Sequence, residues 1–148
     1  MSRQAVFCPG FPDHLLNILL AGFLLLSCGP ADPRFQQYFV EGEQLYLKNC
    51  SNCHQKDGTG LGRVYPPLAA SDFMENHFDE VACLMKKGKR GAITVNGEVY
   101  VQAMPGVPSL TELEIAEITT YIYNSWGRKK GLVDVKQVNQ SLQSCLYD

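Results

Sequence analysis

The 148-residue chain lacks an excess of charge of either sign: 13 lysines and arginines face 15 aspartates and glutamates, for a formal net charge of −2. So even a balance leaves no broad cationic surface for nucleic acid phosphates, and nucleic acid is not a favoured partner. The chain also lacks repeats, low-complexity tracts and any surplus of proline, which sets aside solenoid arrays, collagen-like chains and wholly disordered chains. The apolar run from Leu15 to Leu26, 12 residues broken by Asn17, falls short of the ~20 that cross a bilayer as a helix. What remains is one domain's worth of chain, since compact units usually run to ~100–200 residues. Six cysteines are present, enough for three disulfides if all belonged to one class.

Their positions divide them. The Leu15–Leu26 run fits the apolar segment of a secretory signal. Leu25-Leu26-Ser27-Cys28-Gly29 then resembles the bacterial lipoprotein cleavage box, in which the signal is cut before a cysteine that becomes acylated. The expected organisation is a signal peptide over 1–27, a lipidated linker over 28–32, a core domain over 33–127 and a C-terminal extension over 128–148. Acyl chains on Cys28 would hold the protein at a membrane on the periplasmic side of a bacterial cell envelope, because several chains anchor where one binds only marginally. A plain secretory signal and an uncleaved anchor are the alternatives.

The core domain reads as mostly helical. Asp32-Pro33 is a cap followed by a first-turn proline, and Phe35, Phe39, Gly42, Tyr46 and Cys50 share one helical face. A second helix is expected from Ser71 or Asp72 to about Lys87, with Glu75 in a capping box and a stripe of Met74, Phe78, Val81 and Met85. A third opens with the Thr111/Glu114 box, buries Ile115, Ile118 and Ile122, and is expected to run on to Trp126 and stop at Gly127. Asn96-Gly97 between β-branched runs predicts a small hairpin near 93–101 with a type I′ turn. Val135, Val138, Leu142 and Cys145 suit a short amphipathic helix packed back on the core, with a frayed tail as the alternative.

Cys50-Ser51-Asn52-Cys53-His54 is the C-x-x-C-H pattern of covalent haem attachment. Two thiols one helical turn apart can each add to a vinyl group, and the adjacent imidazole faces the iron. The rival readings are a thiol–disulfide exchange pair and half of a zinc site. The first usually follows a strand in an α/β pattern, absent here, and the second needs further ligands.

With its flanks, the segment resembles the class I cytochrome c family, over roughly Pro33 to Gly127. Gly42 and Tyr46 precede Cys50 at the family's helix-crossing positions, Asp57-Gly58-Thr59-Gly60 follows His54, and Pro66-Pro67-Leu68 matches the turn beside the haem. The resemblance implies a cytochrome c fold, about four helices around one haem c, with the Pro66 carbonyl accepting a hydrogen bond from the proximal His54 and Leu68 among the haem surroundings. It implies Met104, in Met104-Pro105, as the second axial ligand. Met74 and Met85 lie on an apolar stripe and read as core filler, and His77 as a surface or satisfied histidine.

A haem so ligated has no open site for substrate, so the chain is expected to be a one-electron carrier and not an enzyme. Redox proteins, such as an oxidase, reductase or dehydrogenase, would be its donor and acceptor. The alternative is a haem enzyme or a sensor of peroxide or gas, in which Met104 is labile. The Lys86, Lys87, Lys89 and Arg90 run either steers an acidic partner or is a solvated helix end. With Cys8 in the signal, Cys28 lipidated and Cys50 and Cys53 on haem, Cys83 and Cys145 remain as a possible disulfide, or as two separate thiols.

Overall fold

The computed structural model describes residues 32–145, so the expected signal peptide, Cys8 and the lipidation residue Cys28 lie outside the described residues. Six helices and two small antiparallel ribbons follow one another: α1 Pro33–Asn49, α2 Ser51–His54, α3 Asp72–Asn76, α4 Phe78–Lys87, β1 Gly88–Lys89, β2 Ile93–Val95, β3 Glu98–Tyr100, β4 Met104–Pro105, α5 Glu112–Ile122 and α6 Val135–Ser144. Among the described residues no helix is long and apolar enough to cross a membrane.

Local chemistry sets most of these boundaries. Asp32 accepts from the Arg34 backbone N–H at 2.9 Å, with Pro33 in the first turn where its missing donor costs nothing. Thr111 and Glu114 cap α5 reciprocally, and Asp134 and Gln137 do the same for α6. At α3 the cap is Ser71, one of the two expected starts, whose hydroxyl accepts from the Met74 N–H. Asp72 instead exchanges hydrogen bonds with Asn96, which ties the hairpin to the start of α3.

Two expected helices are shorter than their periodicity suggested. The single helix from residue 72 to 87 is two, broken at His77, where ψ of 38° leaves the helical basin. His77 stacks on Phe73 at 4.3 Å and sits 2.9 Å from Glu80. Weak helix formers at Asn76 and His77, followed by Asp79 and Glu80 at a new N-terminus, are the local cause. The closing helix ends at Ile122, short of Gly127. Beyond it the Asn124 amide donates to the Thr120 and Gly131 carbonyls and Ser125 to the Tyr121 carbonyl, side-chain bonds that replace the helical ladder. The hairpin is the expected two-residue turn, with positive φ at Asn96 and Gly97 and Val95 opposite Glu98.

Packing centres on the crossing of α1 with α5. A Cβ at Gly42 would collide with the Glu117 carbonyl and lie 2.9 Å from Cβ of Tyr121, so only glycine lets the two backbones meet. Tyr46, fully buried, packs its ring 5.3 Å from Tyr121 and 5.5 Å from Trp126. Helix α6 packs on α4 and α5, and Thr120 joins α5 to Val133 through a buried hydroxyl that donates to its carbonyl and accepts from its N–H. Cys83 and Cys145 form a disulfide between α4 and the end of α6, their Cα atoms 6.0 Å apart and 62 positions apart in sequence. Closing such a loop restricts the unfolded chain by an amount worth ~4 kcal/mol.

Glu117 lies in α5 where its backbone meets α1, and the residue is 7% exposed. Burial, then repulsion from Glu41 and Glu114, pushes it above the usual carboxylate range. A carboxyl raised on folding binds its proton more tightly in the folded state, so its favourable contribution is present at acid pH and is lost as pH rises through the folded value. Thermal melts of Glu117→Gln should therefore show a higher melting temperature than the parent at pH 7, and equality near pH 3. Equal gains at both pH values would contradict the assignment.

Candidate cofactor site

The pentapeptide occupies the first turn beyond α1. Cys50 N–H donates to the Tyr46 carbonyl at 2.9 Å, and the N–H groups of Cys53 and His54 both donate to the Cys50 carbonyl, at 3.2 and 3.0 Å. This short turn brings Cys50, Cys53 and His54 to the wall of one cavity. Neither cysteine is paired in a disulfide. Burial, then the neighbouring Cys53, pushes the Cys50 thiol up to about 11. That is opposite in sign to the depressed value that activates an exchange pair. Among the described residues no group of three or more His, Cys, Asp and Glu side chains is arranged as a metal cage.

His54 is buried, and burial lowers its proton affinity against a smaller opposing effect of the Pro66 carbonyl. Its neutral imidazole places Nδ1 3.0 Å from that carbonyl. Because a carbonyl only accepts, Nδ1 carries the proton and Nε2 is left with its lone pair. A hydrogen bond to the second nitrogen is what orients a ligating histidine and raises its basicity.

The carbonyl is held in turn by the loop that carries it. Gly60 N–H donates to the His54 carbonyl at 3.0 Å, and the N–H groups of Leu68 and Ala69 both donate to Gly58, at 2.8 and 2.9 Å. Gly58 has φ of +70°, and a Cβ there would meet the Trp126 ring. The Arg128 guanidinium donates to the carbonyls of Leu68 and Ser71, at 2.6 and 3.1 Å. Gln55, the residue after His54, holds φ of 62° and ψ of 159°, a region that only glycine adopts freely. The Tyr46 hydroxyl donates to its carbonyl at 2.6 Å.

The cavity measures about 980 Å³ with its open mouth, at the upper end of the range for cofactor sites. Leu68, Met74, Val81, Met85, Ile118 and Ile122 give it an apolar wall, and the hairpin adds Ile93 and Val95. Met104 lines it from a separate segment, where β4 pairs with β1 and Met104 lies opposite Lys89. Met74 and Met85 are buried in the core cluster as well as in the wall, whereas Met104 is only half-buried. The donor set of two cysteine sulfurs, a neutral imidazole with a free Nε2 and a thioether around an apolar cleft fits a covalently attached haem.

Several contributors carry no motif. Arg128, Tyr65, Phe73 and the β1–β4 ribbon are set by tertiary approach, and only the basic run after Gly127 marked the neighbourhood of the first. The Lys86–Arg90 run is not a uniform solvated rim. Lys86 donates to the Leu110 carbonyl and Lys87 to the Cys145 carbonyl, which leaves Lys89 and Arg90 beside a shallow concavity that includes Met104.

Comparison with known proteins agrees with this geometry. The family described as Cytochrome c matches residues 39–126. Cytochrome c-552 of Thermus thermophilus is 30% identical over 95 residues, covering 62% of this chain and 72% of that protein. The cytochrome c subunit of a quinone alcohol dehydrogenase of Gluconobacter oxydans is 34% identical over 89 residues, covering 58% of this chain and 18% of the subunit. The corresponding subunit of Gluconacetobacter polyoxogenes is 33% identical over 93 residues, covering 61% and 19%. The chain thus spans about a fifth of the length of these subunits. It belongs to the cytochrome c family, whose members carry covalently attached haem c in electron transfer, and Cys50 and Cys53 have the spacing for that attachment.

Removing the Tyr46 hydroxyl tests how the turn beside His54 is held. Tyr46→Phe leaves the Gln55 carbonyl without its donor and should lower stability in denaturant melts by ~1–3 kcal/mol. A loss near zero would mean that the carbonyl is satisfied otherwise.

Proposed function

We propose that this member of the cytochrome c family is a single-haem electron carrier whose axial ligands are His54 and Met104, exported and held at a membrane by lipid on Cys28. One observation carries the ligand assignment: two cysteine sulfurs, the unengaged Nε2 of a neutral imidazole and a thioether line the same apolar cavity, from two separate segments of chain.

Bound haem supplies the one-electron couple. The chain supplies everything that tunes it. Cys50 and Cys53 hold the cofactor by thioethers, and the Pro66 carbonyl keeps the His54 ring in one orientation. The Met104 thioether favours the ferrous state, and the apolar wall disfavours the extra charge of the ferric state, so both raise the reduction potential. With His54 and Met104 both holding the iron, no coordination position would be left for a substrate. The cleft's mouth gives donor and acceptor access to the cofactor edge, where Lys89 and Arg90 are the cations available to steer an acidic partner.

The quinone dehydrogenase relatives support a respiratory dehydrogenase as the donor side, with an oxidase or reductase beyond. The periplasmic side of a bacterial cell envelope is the proposed location. The apolar Leu15–Leu26 run before Cys28 supports export, and the Cys83–Cys145 bridge suits an oxidising compartment.

Met104→Ala is the direct test of the ligand set. The ferric holoprotein should lose the weak long-wavelength band of sulfur–iron ligation, gain an exchangeable iron position and show a lower reduction potential. An unchanged spectrum would dismiss Met104, and a parent that already binds exogenous ligands readily would favour a haem enzyme or sensor. For the anchor, labelling of growing cells with a radioactive fatty acid should mark the parent and spare Cys28→Ser. Equal labelling of the two would remove the lipid assignment.

A further inference from the structure

We infer that the Cys83–Cys145 bridge is a positioning device for the Met104 segment: it fixes the C-terminal end of α4, and that end is the surface on which the segment is built. The inference rests on Met104 being the sixth ligand.

The end of α4 meets the Met104 segment through several independent contacts. Strand β1, which continues directly from α4, pairs with β4, setting Gly88 opposite Pro105 and Lys89 opposite Met104. Val107 N–H donates to the Met85 carbonyl at 2.8 Å, and Lys86 donates to the Leu110 carbonyl. The two backbones touch: a Cβ at Gly106 would collide with the Lys87 backbone, and one at Gly88 with the Met104 carbonyl. Gln102, Ala103 and Pro105 are exposed, so the outer side of the segment has little protein against it. Where α4 ends therefore decides where the thioether sits.

Helix α4 itself is short, 10 residues, and the break at His77 deprives it of a continuous helical neighbour on its N-terminal side. Its far side is held by α6. Cys83 is bonded to Cys145, Lys87 donates to the Cys145 carbonyl, and α6 packs along α4. Cys145 lies beyond residues 39–126, so this clamp is an addition to the part of the chain that matches the family. Covalent attachment on one side of a two-sided support suppresses local opening on the other, and release of a methionine from iron is such an opening.

Imidazole titration of the ferric, full-length holoprotein reads that opening, since an external ligand binds only the fraction of molecules in which Met104 has left. In the Cys83→Ser, Cys145→Ser double variant the apparent affinity for imidazole should rise about 10-fold or more. In a Met104→Ala background the same pair of substitutions should leave imidazole affinity unchanged, because nothing remains to be displaced. Parental affinity in the double variant would overturn the proposal, as would an equal gain in the Met104→Ala background. A parent that binds imidazole as tightly as Met104→Ala would instead remove the ligand assignment, and the proposal with it. Should the double variant not fold, Lys87→Met keeps the bridge while deleting the contact from α4 to the Cys145 carbonyl. It should shift the titration in the same direction, and no shift would overturn the proposal.

Discussion

One nitrogen of the His54 imidazole is engaged by the Pro66 carbonyl, and on that 3.0 Å hydrogen bond the arrangement of the cavity depends. It settles the tautomer and the ring plane, and it commits residues 55–71 to fold back over the attachment turn. The bond is only as well placed as the loop behind it. Gly58 accepts two backbone N–H groups, Arg128 reaches across from beyond α5 to two carbonyls, and Tyr46 holds the strained carbonyl of Gln55. Each of these fixes backbone, so the imidazole's position is set by main-chain geometry more than by side-chain packing.

The cleft has two supports of different character. On the attachment side, α1 crosses α5 at a glycine with no room for a Cβ, and a cluster of Tyr46, Tyr121 and Trp126 carries that contact to the wall. On the methionine side, a short helix, a two-residue ribbon and a disulfide do the work. The first support is close apolar packing, with no room at Gly42 for one added carbon. The second relies on hydrogen bonds and one covalent link, which are directional. The segment after α5 serves both, since Arg128 pins the histidine loop and α6 backs α4.

Chemistry that is local in sequence was legible in it. The capping box at Thr111, the Asn96-Gly97 turn, the shared face of Phe39, Gly42 and Tyr46, and the attachment pentapeptide all announce themselves within a few residues. The break at His77 and the early end of α5 were hidden because the apolar stripe runs unbroken across them, and a stripe reports a face without reporting a kink. Asn96 was legible as a turn residue, yet its second role at the start of α3 depends on a neighbour 24 positions away. Lys86 and Lys87 read as a steering rim or as a solvated helix end, and neither reading foresaw their bonds to the Leu110 and Cys145 carbonyls, because no pattern marks a distant carbonyl. The ribbon of Gly88–Lys89 with Met104–Pro105 is too short for any alternation to show. Of the candidate site, Cys50, Cys53, His54, Met104 and the Pro66 carbonyl were thus visible from motif and resemblance, while Arg128, Tyr65, Phe73 and the β1–β4 ribbon were not.

The central claim is that Met104, and neither Met74 nor Met85, closes the coordination opposite His54. Methyl-labelled methionine in the ferrous holoprotein tests it most directly by nuclear magnetic resonance, because a methyl bonded through sulfur to haem iron lies over the ring and is displaced far upfield. The account predicts one such methyl, which disappears from the spectrum of Met104→Leu. No displaced methyl, or one that survives that substitution, would contradict it.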